Sequence, residues 1–204
     1  MMLRIHPENP DARRLGQAVQ LLESDGVLVV PTDTVYCYAC ALGSSRGLDR
    51  LARLKGTTAE KAQFSLLCTD LSQLSVFSKP VSNEVFKLMR RTLPGPYTFI
   101  LEATTQVPKL FRSNKKTIGI RIPDNGVARA LIEALGRPLI VSSVHDPDWV
   151  VEYTTDPELI EERCGDRVDA VIDGGPGGLI PSTILDCTGG DIELVRAGAG
   201  PWEE

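Results

Sequence analysis

The sequence lacks the features that mark membrane, secreted and nucleic-acid-coating proteins. None of its apolar runs approaches the ~20 residues that span a bilayer, and its N-terminus has no apolar signal segment. The five cysteines are an odd number at irregular spacing, which argues against a disulfide framework. A net charge of −5 argues against a protein that coats nucleic acid through bulk charge. We therefore expect a cytoplasmic protein that does not contact a membrane.

Several common catalytic and nucleotide-binding signatures are also absent. There is no G-x-x-x-x-G-K-[ST] loop, no G-x-G-x-x-G after the first predicted strand and no G-x-S-x-G elbow. Residues 145–148, His-Asp-Pro-Asp, are either a metal cluster or a turn, and acidic residues that flank a proline more often form a turn. Cys37 and Cys40 have the spacing of a redox motif without a second pair or a nearby histidine. We expect two small thiols near the first strand and no metal site.

The composition is that of one soluble globular domain. Of the 204 residues, 42% are hydrophobic and 24% are charged. This length suffices for one well-buried core and is short for two, so we expect a single domain over residues 1–204.

Helical and strand patterns alternate along the chain. Leu15, Ala18 and Leu22 recur at helical spacing, and Asp156-Pro157-Glu158 has the residues of a helix start. We predict further helices that begin near Ser45, Asp70 and Ser82, and one over residues 125–135 that starts at Asn125 and ends at Gly136. Closely spaced strands near the C-terminus favour some antiparallel pairing. The predicted architecture is an α/β fold with a twisted mixed sheet and flanking helices. We predict strands at 27–30, 64–68, 97–101, 117–122, 139–141, 168–172, 183–185 and 192–195.

Polar residues follow several of these strands. Residues 27–30 run into Pro31, which cannot donate to a strand ladder, and then into Thr32, Asp33 and Thr34. This segment is either a capped turn or one wall of a ligand site at a strand end. Together, such strand ends would form a pocket of neutral donors and fixed cations, which suits a nucleotide and a small polar co-substrate. The other residues of this kind are Arg121, Ser142, Ser143, Ser182, Thr183 and Arg196.

Positive charge is concentrated in the middle of the chain. Between Arg50 and Arg121 there are 13 Lys or Arg residues and 4 Asp or Glu residues, while the remainder has 9 and 23. This asymmetry favours a local field that binds nucleotide phosphates or an RNA backbone. The alternative is that these side chains scatter over several helices. The glycine-rich stretch 174–178 is, similarly, either a loop beside the pocket or a surface turn.

Seven segments occur in an order that resembles the YrdC-like family, the threonylcarbamoyl-AMP synthases. The similarity covers roughly residues 12–198. Several ordered motifs are more specific than any one of them. They are Pro31-Thr-Asp-Thr-Val-Tyr36, Lys55-Gly56, Pro94-Gly-Pro-Tyr-Thr98, Gly119-Ile-Arg-Ile-Pro123, Asp173-Gly-Gly175, Pro181-Ser-Thr183 and Arg196-Ala-Gly198.

The resemblance implies a twisted sheet with a concave, electropositive face. It also implies that L-threonine, bicarbonate and ATP give threonylcarbamoyl-AMP and pyrophosphate, for threonylcarbamoyladenosine in tRNA. Thr32 and Thr34 would hold threonine, and Lys55 would act with them in catalysis. Lys55 and Lys61 would face the phosphates of ATP, which Mg²⁺ would accompany. The other implied substrate and nucleotide contacts are Tyr36, Thr98, Arg121, Ser142, Ser143, Ser182, Thr183 and Arg196.

Three positions depart from the synthase pattern and resemble the YciO-type branch. Gly-Leu-Gly becomes residues 37–39 (Cys-Tyr-Ala), Lys-x-Arg becomes residues 55–57 (Lys-Gly-Thr), and Ser-Ala-Asn becomes residues 142–144 (Ser-Ser-Val). Thr57 replaces the arginine of Lys-x-Arg. A charge-assisted hydrogen bond of such an arginine contributes on the order of 1.5–3 kcal/mol, so its loss would slow the reaction by about tenfold to a few hundredfold. Two interpretations stay open. One is a threonylcarbamoyladenylate synthase, weak or fully active; the other is a YciO-type protein that binds double-stranded RNA, tRNA or a nucleotide with little or no synthase activity.

Overall fold

One mixed β-sheet runs through the described part of the chain. The computed structural model describes residues 1–59, 63–108, 116–144 and 152–202. Across the ten-stranded sheet the order is β1-β8-β2-β3-β7-β4-β6-β5-β9-β10. In chain order the strands are β1 (Met2–Arg4), β2 (Leu28–Val30), β3 (Cys37–Ala41), β4 (Ser65–Leu67), β5 (Tyr97–Glu102), β6 (Thr117–Arg121), β7 (Leu139–Ser143), β8 (Ala170–Asp173), β9 (Thr183–Asp186) and β10 (Glu193–Arg196).

The pairing of neighbouring strands confirms the predicted mixed α/β fold. Strand β8 lies parallel to both β1 and β2, whereas β3 pairs antiparallel with β2 and with β7. Farther along, β4 and β6 are parallel, β5 and β6 are antiparallel, and β5 and β9 are parallel. All three residues of β2 are buried, as expected for a strand covered on both faces.

Side-chain caps set the starts of most helices. The helices are α1 (Ala12–Glu23), α2 (Ser45–Leu54), α3 (Leu71–Phe77), α4 (Asn83–Thr92), α5 (Gly126–Leu135), α6 (Glu152–Thr155) and α7 (Pro157–Cys164). Asn125 accepts a hydrogen bond from Ala128 N at the start of α5, and Gly136 ends this helix at a left-handed φ of 73°. Asp156 and Pro157 start α7 as predicted. No helix within the described ranges is long and apolar enough to cross a membrane.

One face of the sheet is covered by helices α2, α3, α4 and α7. Leu51 of α2, Met89 of α4 and Ile160 of α7 belong to a hydrophobic cluster that also contains Phe99 and Ile120 of the sheet. These side chains have at most 2% of their surface exposed. The burial of this apolar surface holds the four helices against the sheet.

The described helices cover only half of the opposite face. Helices α1 and α5 pack there through Leu22 and Leu131, against residues of β1, β8, β2, β3, β7 and the end of β4. Within the described residues this second cluster contains no side chain of β5, β6 or β9. Because side chains alternate along a strand, the side chains of these three strands on this face are left to line an open concavity.

Three elements were not predicted from the sequence. They are β1, β3 and α6, and the first predicted strand begins at Leu28, one residue later than expected. Strand β3 lies between β2 and β7 in the middle of the sheet. It places Cys40 in the first cluster and Cys37 in the second. The two thiols therefore lie on opposite faces of the sheet, and all five cysteines are free.

The basic residues of the 50–121 segment lie on both sides of the sheet. Lys87, Arg90 and Arg91 lie on α4, which packs against the fully covered face. Arg121 lies in the concavity. Lys79 forms an exposed ion pair with Glu102. The concavity therefore receives only part of the positive charge that is clustered in the sequence.

Candidate active site

The uncovered half of the sheet forms the floor of a cavity of about 380 Å³. Its floor comes mainly from alternate residues of β5, β6 and β9. Its walls come from the end of β7, from Thr34, Val35 and Cys37, and from residues 181–182. Seven residues predicted from the sequence line this cavity: Thr34, Thr98, Arg121, Ser142, Ser143, Ser182 and Arg196.

The segment between β2 and β3 folds into a tight turn held by threonine side chains. Thr32 Oγ1 donates to the carbonyl of Val35 at 2.7 Å and accepts from the backbone N–H of Thr34 at 3.1 Å. Thr32 therefore lies beneath Thr34 and is not part of the cavity surface. The Thr34 hydroxyl accepts a hydrogen bond from Arg121 at 2.8 Å. Its own proton is left to donate either to Thr32, at 3.2 Å, or to a ligand in the cavity.

Arg121 forms a buried ion pair with Asp33. The two side chains are 5% and 11% exposed. The sequence placed Asp33 at this strand end with Thr32 and Thr34, but the ion pair with Arg121 was not predicted. The Nε atom of Arg121 and the Oδ2 atom of Asp33 are buried without a hydrogen-bond partner among the described residues. In the described part of the chain these two atoms are therefore unsatisfied, which makes the ion pair sensitive to the loss of either member.

Lys55 lies at the end of α2 and reaches across to β7. Its Nζ donates to the carbonyl oxygen of Ser143 at 2.9 Å. Burial lowers the pKa of Lys55, because removal of water disfavours the ammonium form. The Lys55 ammonium group thus lies against the backbone of the wall that Ser142 and Ser143 form, and Lys55 itself is not part of the cavity lining.

A second polar group lies at the other wall of the cavity. The hydroxyls of Thr98 and Ser182 are 2.8 Å apart. Arg196 holds the segment from the side, since its Nη2 and Nε atoms donate to the carbonyl of Ser182 at 2.7 and 3.2 Å. Burial and the charge of Arg121 lower the pKa of Arg196. Two hydroxyls and a guanidinium are therefore fixed against one another before any ligand arrives.

Two predicted residues point away from the cavity. Thr183 follows Ser182 in the chain, and its hydroxyl donates to the carbonyl of Gly200 and accepts from Gly198 N. Tyr36 is fully buried, and its hydroxyl donates to the carbonyl of Gly175 at 2.6 Å. Neither of them is part of the cavity lining. Lys61 and the 145–148 segment lie outside the described residues.

Several cavity residues were not selected from the sequence. Cys37 faces the cavity, and burial raises the pKa of its thiol to about 11. Ser65, Gly119 and Asp186 also line it. A β-carbon on Gly119 would lie 2.7 Å from Ser65 Oγ, so glycine keeps this part of the floor open. Their positions on the open face follow from strand parity, which is the signal that could have identified them.

The charges near the cavity favour an anionic ligand. Lys55, Arg121 and Arg196 are cations, whereas Asp33 and Asp186 are the carboxylates of this region. Among the described residues there is no group of three His, Cys, Asp or Glu side chains that could hold a metal ion. Asp33 is paired with Arg121, and Asp186 accepts from Thr188. The described residues therefore hold no preformed three-ligand metal site, and Mg²⁺ that enters with ATP would be held chiefly by the phosphates.

Comparisons with known proteins identify the family of this chain. The sequence profile of the Sua5, YciO and YrdC family, described as telomere recombination, matches residues 20–198. An uncharacterized protein of Haemophilus influenzae is 42% identical over 197 residues, which are 96% of this chain and 94% of that protein. YciO of Escherichia coli K12, also uncharacterized, is 41% identical over 198 residues, with the same coverage. The crystal structure of E. coli YciO has a TM-score of 0.91 and covers 98% of this chain and 97% of its own.

Relatives with an assigned activity are less similar. A threonylcarbamoyl-AMP synthase of Marinobacter nauticus is 29% identical over 188 residues, which are 89% of this chain and 95% of that enzyme. P. abyssi Sua5, solved in complex with L-threonine, has a TM-score of 0.85 at 24% identity. Its match covers 97% of this chain and 57% of that chain, and at this identity it supports the fold alone. The chain resembles the synthases in sequence and YciO more strongly, and it belongs to the Sua5/YciO/YrdC family.

Proposed function

We propose that this protein makes L-threonylcarbamoyl-AMP from L-threonine, bicarbonate and ATP, with release of pyrophosphate. The observation that carries the proposal is the cavity itself. It brings the Thr34 hydroxyl, the buried Arg121 and the Thr98–Ser182 hydroxyl pair onto one uncovered sheet face, with Lys55 and Arg196 beside them. A volume of about 380 Å³ lies within the range of small-molecule sites.

The proposed chemistry needs little more than positioning and charge. The neutral amine of threonine attacks the carbon of bicarbonate, and water leaves as the carbamate forms. A carbamate oxygen then attacks the α-phosphorus of ATP, and the bond from this phosphorus to the oxygen of the β-phosphate breaks. Cations that lie near the leaving pyrophosphate offset the charge that develops on it.

In this proposal one group of the described residues binds threonine and another binds ATP. The Thr34 hydroxyl and the guanidinium of Arg121 would bind the hydroxyl and carboxylate of threonine. Lys55 and Arg196 would face the phosphates, and the Thr98–Ser182 pair would bind the remaining polar groups of the nucleotide. Fixed donors reduce the entropy that two substrates lose when they meet in a reactive arrangement.

The first test is product formation with a matched lysine control. Purified protein is incubated with labelled bicarbonate, threonine, ATP and Mg²⁺, and threonylcarbamoyl-AMP and pyrophosphate are measured. We expect threonine-dependent product that falls by about a hundredfold in Lys55→Ala, since a positioned cation contributes about 2.7–4 kcal/mol to such a transition state. Lys79→Ala removes a lysine that is exposed and paired with Glu102, and it should keep the wild-type rate. Equal product in wild type and Lys55→Ala would contradict the proposal.

A second candidate function is binding of double-stranded RNA or tRNA. The observation that favours it is the set of exposed cations on α4, since Lys87, Arg90 and Arg91 form no ion pair within the described residues. Binding through phosphates would weaken steeply as salt rises, and it would fall in a variant with all three changed to alanine. RNA affinity that is insensitive to salt, or equal in this variant, would argue against this function.

A further inference from the structure

The glycine-rich stretch 174–178, which we call the glycine clamp, packs against the back of the turn at residues 31–36. Gly178 N donates to the carbonyl oxygen of Thr34 at 2.5 Å. The Tyr36 hydroxyl donates to the carbonyl of Gly175 at 2.6 Å and accepts from Gly174 N at 3.3 Å. The clamp therefore holds Thr34 itself and the end of the turn at Tyr36.

Three of these glycines are in close contact with the turn. A β-carbon on Gly174 would lie 2.8 Å from the ring of Pro31, and one on Gly177 would lie 2.7 Å from the ring of Tyr36. A β-carbon on Gly178 would lie 2.6 Å from the carbonyl oxygen of Thr34. Real β-carbons do not approach so closely, so any side chain here would displace the turn or the clamp.

Among the described residues of the turn, Tyr36 is the one whose side chain hydrogen-bonds to the backbone of the glycine clamp. It has no exposed surface and does not line the cavity. Burial raises the pKa of its phenol to about 12, so the hydroxyl keeps its proton at neutral pH and donates it to Gly175.

We propose that Tyr36 and the glycine clamp are positioning elements that fix Thr34 against Arg121, and that Tyr36 does not itself contact the substrate. The inference rests on the proposed function, because it assigns threonine to the Thr34 side of the cavity. The clamp lies behind Thr34 and does not touch Lys55, Thr98 or Arg196 in any described contact. Loosening it therefore weakens the binding of threonine and leaves the binding of ATP largely unchanged.

The experiment uses two variants of the clamp and one control. Tyr36→Phe removes the hydroxyl and keeps the ring, while Gly178→Ala adds the β-carbon that meets Thr34. Gly189→Ala is the control, because Gly189 is exposed and a β-carbon there would have no neighbour within 4 Å. We expect the KM for threonine to rise about five- to tenfold in both clamp variants, about the factor of one lost hydrogen bond, with the KM for ATP within about twofold of wild type. A defect in folding alone would reduce the fraction of folded enzyme, so the apparent kcat would fall while both KM values stayed unchanged.

A second measurement does not depend on activity. Cys37 follows Tyr36 directly, and its Sγ lies 3.6 Å from the carbonyl of Val35 within the turn. Maleimide labelling of Cys37, followed by peptide mass spectrometry, reports how often the turn opens. We expect labelling to be about fivefold faster in both clamp variants and unchanged in Gly189→Ala.

The two measurements separate failure of the inference from failure of the proposed function. If wild type makes no threonylcarbamoyl-AMP, the proposed function is wrong, and the labelling of Cys37 still decides whether the clamp holds the turn. If Gly178→Ala does not fold, Tyr36→Phe decides alone, because its ring packing is kept. Wild-type labelling of Cys37 in folded Tyr36→Phe overturns the clamp, and an equal rise in both KM values overturns its selectivity for threonine.

Discussion

Removal of the Asp33 carboxylate should destabilise the protein severely. Asp33→Ala leaves the guanidinium of Arg121 with 5% exposure and without its counter-ion. Removing one partner of a buried ion pair typically costs about 3–5 kcal/mol, since the remaining charge is neither hydrated nor paired. One Nε–H of Arg121 is already without a partner among the described residues, so little compensation is available.

This cost can be measured by unfolding. For a domain of this size, each kcal/mol shifts Tm by about 2–4 °C, so Asp33→Ala should lower Tm by about 6–20 °C. Urea unfolding followed by circular dichroism would give the free energy directly, provided that the slope m is unchanged. Asp49→Ala removes an exposed aspartate on α2 and should change the free energy of unfolding by no more than about 0.5 kcal/mol.

A double variant distinguishes the destabilisation caused by the unpaired charge from that caused by lost side-chain contacts. Asp33→Ala combined with Arg121→Met removes both charges, and we expect it to recover at least about half of the lost stability. A loss below about 1 kcal/mol in Asp33→Ala, or additive losses in the double variant, would refute the view that the pair is buried and mutually dependent.

Two further predictions concern Lys55 and Gly119. Burial lowers the pKa of Lys55 below its usual 10.5, so the unfolded chain binds more protons and wild-type stability should rise with pH between the lowered pKa and 10.5. Urea unfolding across this range should show that Lys55→Met loses the rise and that Lys79→Met keeps it; identical slopes in both would contradict the burial of Lys55. Gly119→Ala places a β-carbon 2.7 Å from Ser65 Oγ on the cavity floor. Calorimetry should show about tenfold weaker binding of the proposed substrates, threonine and ATP, whereas Gly189→Ala should bind them as wild type does. Wild-type affinity in Gly119→Ala would mean that ligands do not reach this part of the floor.

Most helices could be predicted because their ends have local signals. Asn125 and Gly136 bound α5, and Asp156 with Pro157 begins α7, as the sequence indicated. Strand β3 could not be recognised in the same way. Residues 37–41 are Cys-Tyr-Ala-Cys-Ala, and alanine is not enriched in strands, so their central place depends on pairing with β2 and β7. Such pairing joins residues as far apart as Ala41 and Leu139, which no local pattern reveals.

The sequence indicated where the polar residues of the candidate site lie along the chain, but it did not indicate which side of the sheet each side chain faces. Ser182 and Thr183 are neighbours at the start of β9, and adjacent strand residues face opposite sides, so only one of them could line the cavity. The motif that ends in Tyr36 lies next to the cavity, but the Tyr36 hydroxyl bonds to the backbone of the glycine clamp and not to the cavity side. Asp33 was named at its strand end without a role, because the sequence did not show that Arg121 would face it across the sheet.

In the half-covered sheet, the residues that face the cavity are different from those that form the helix-side core. Ser65, Thr98 and Gly119 face the cavity, whereas the residues that follow them, Leu66, Phe99 and Ile120, are fully buried on the helix side. Mutations of the cavity-facing residues can alter the shape and chemistry of the binding surface without changing the packing of the helix-side core. Relatives of this chain can therefore diverge in ligand while the helix side stays fixed, and a library restricted to alternate strand positions should yield folded variants with altered ligand preference.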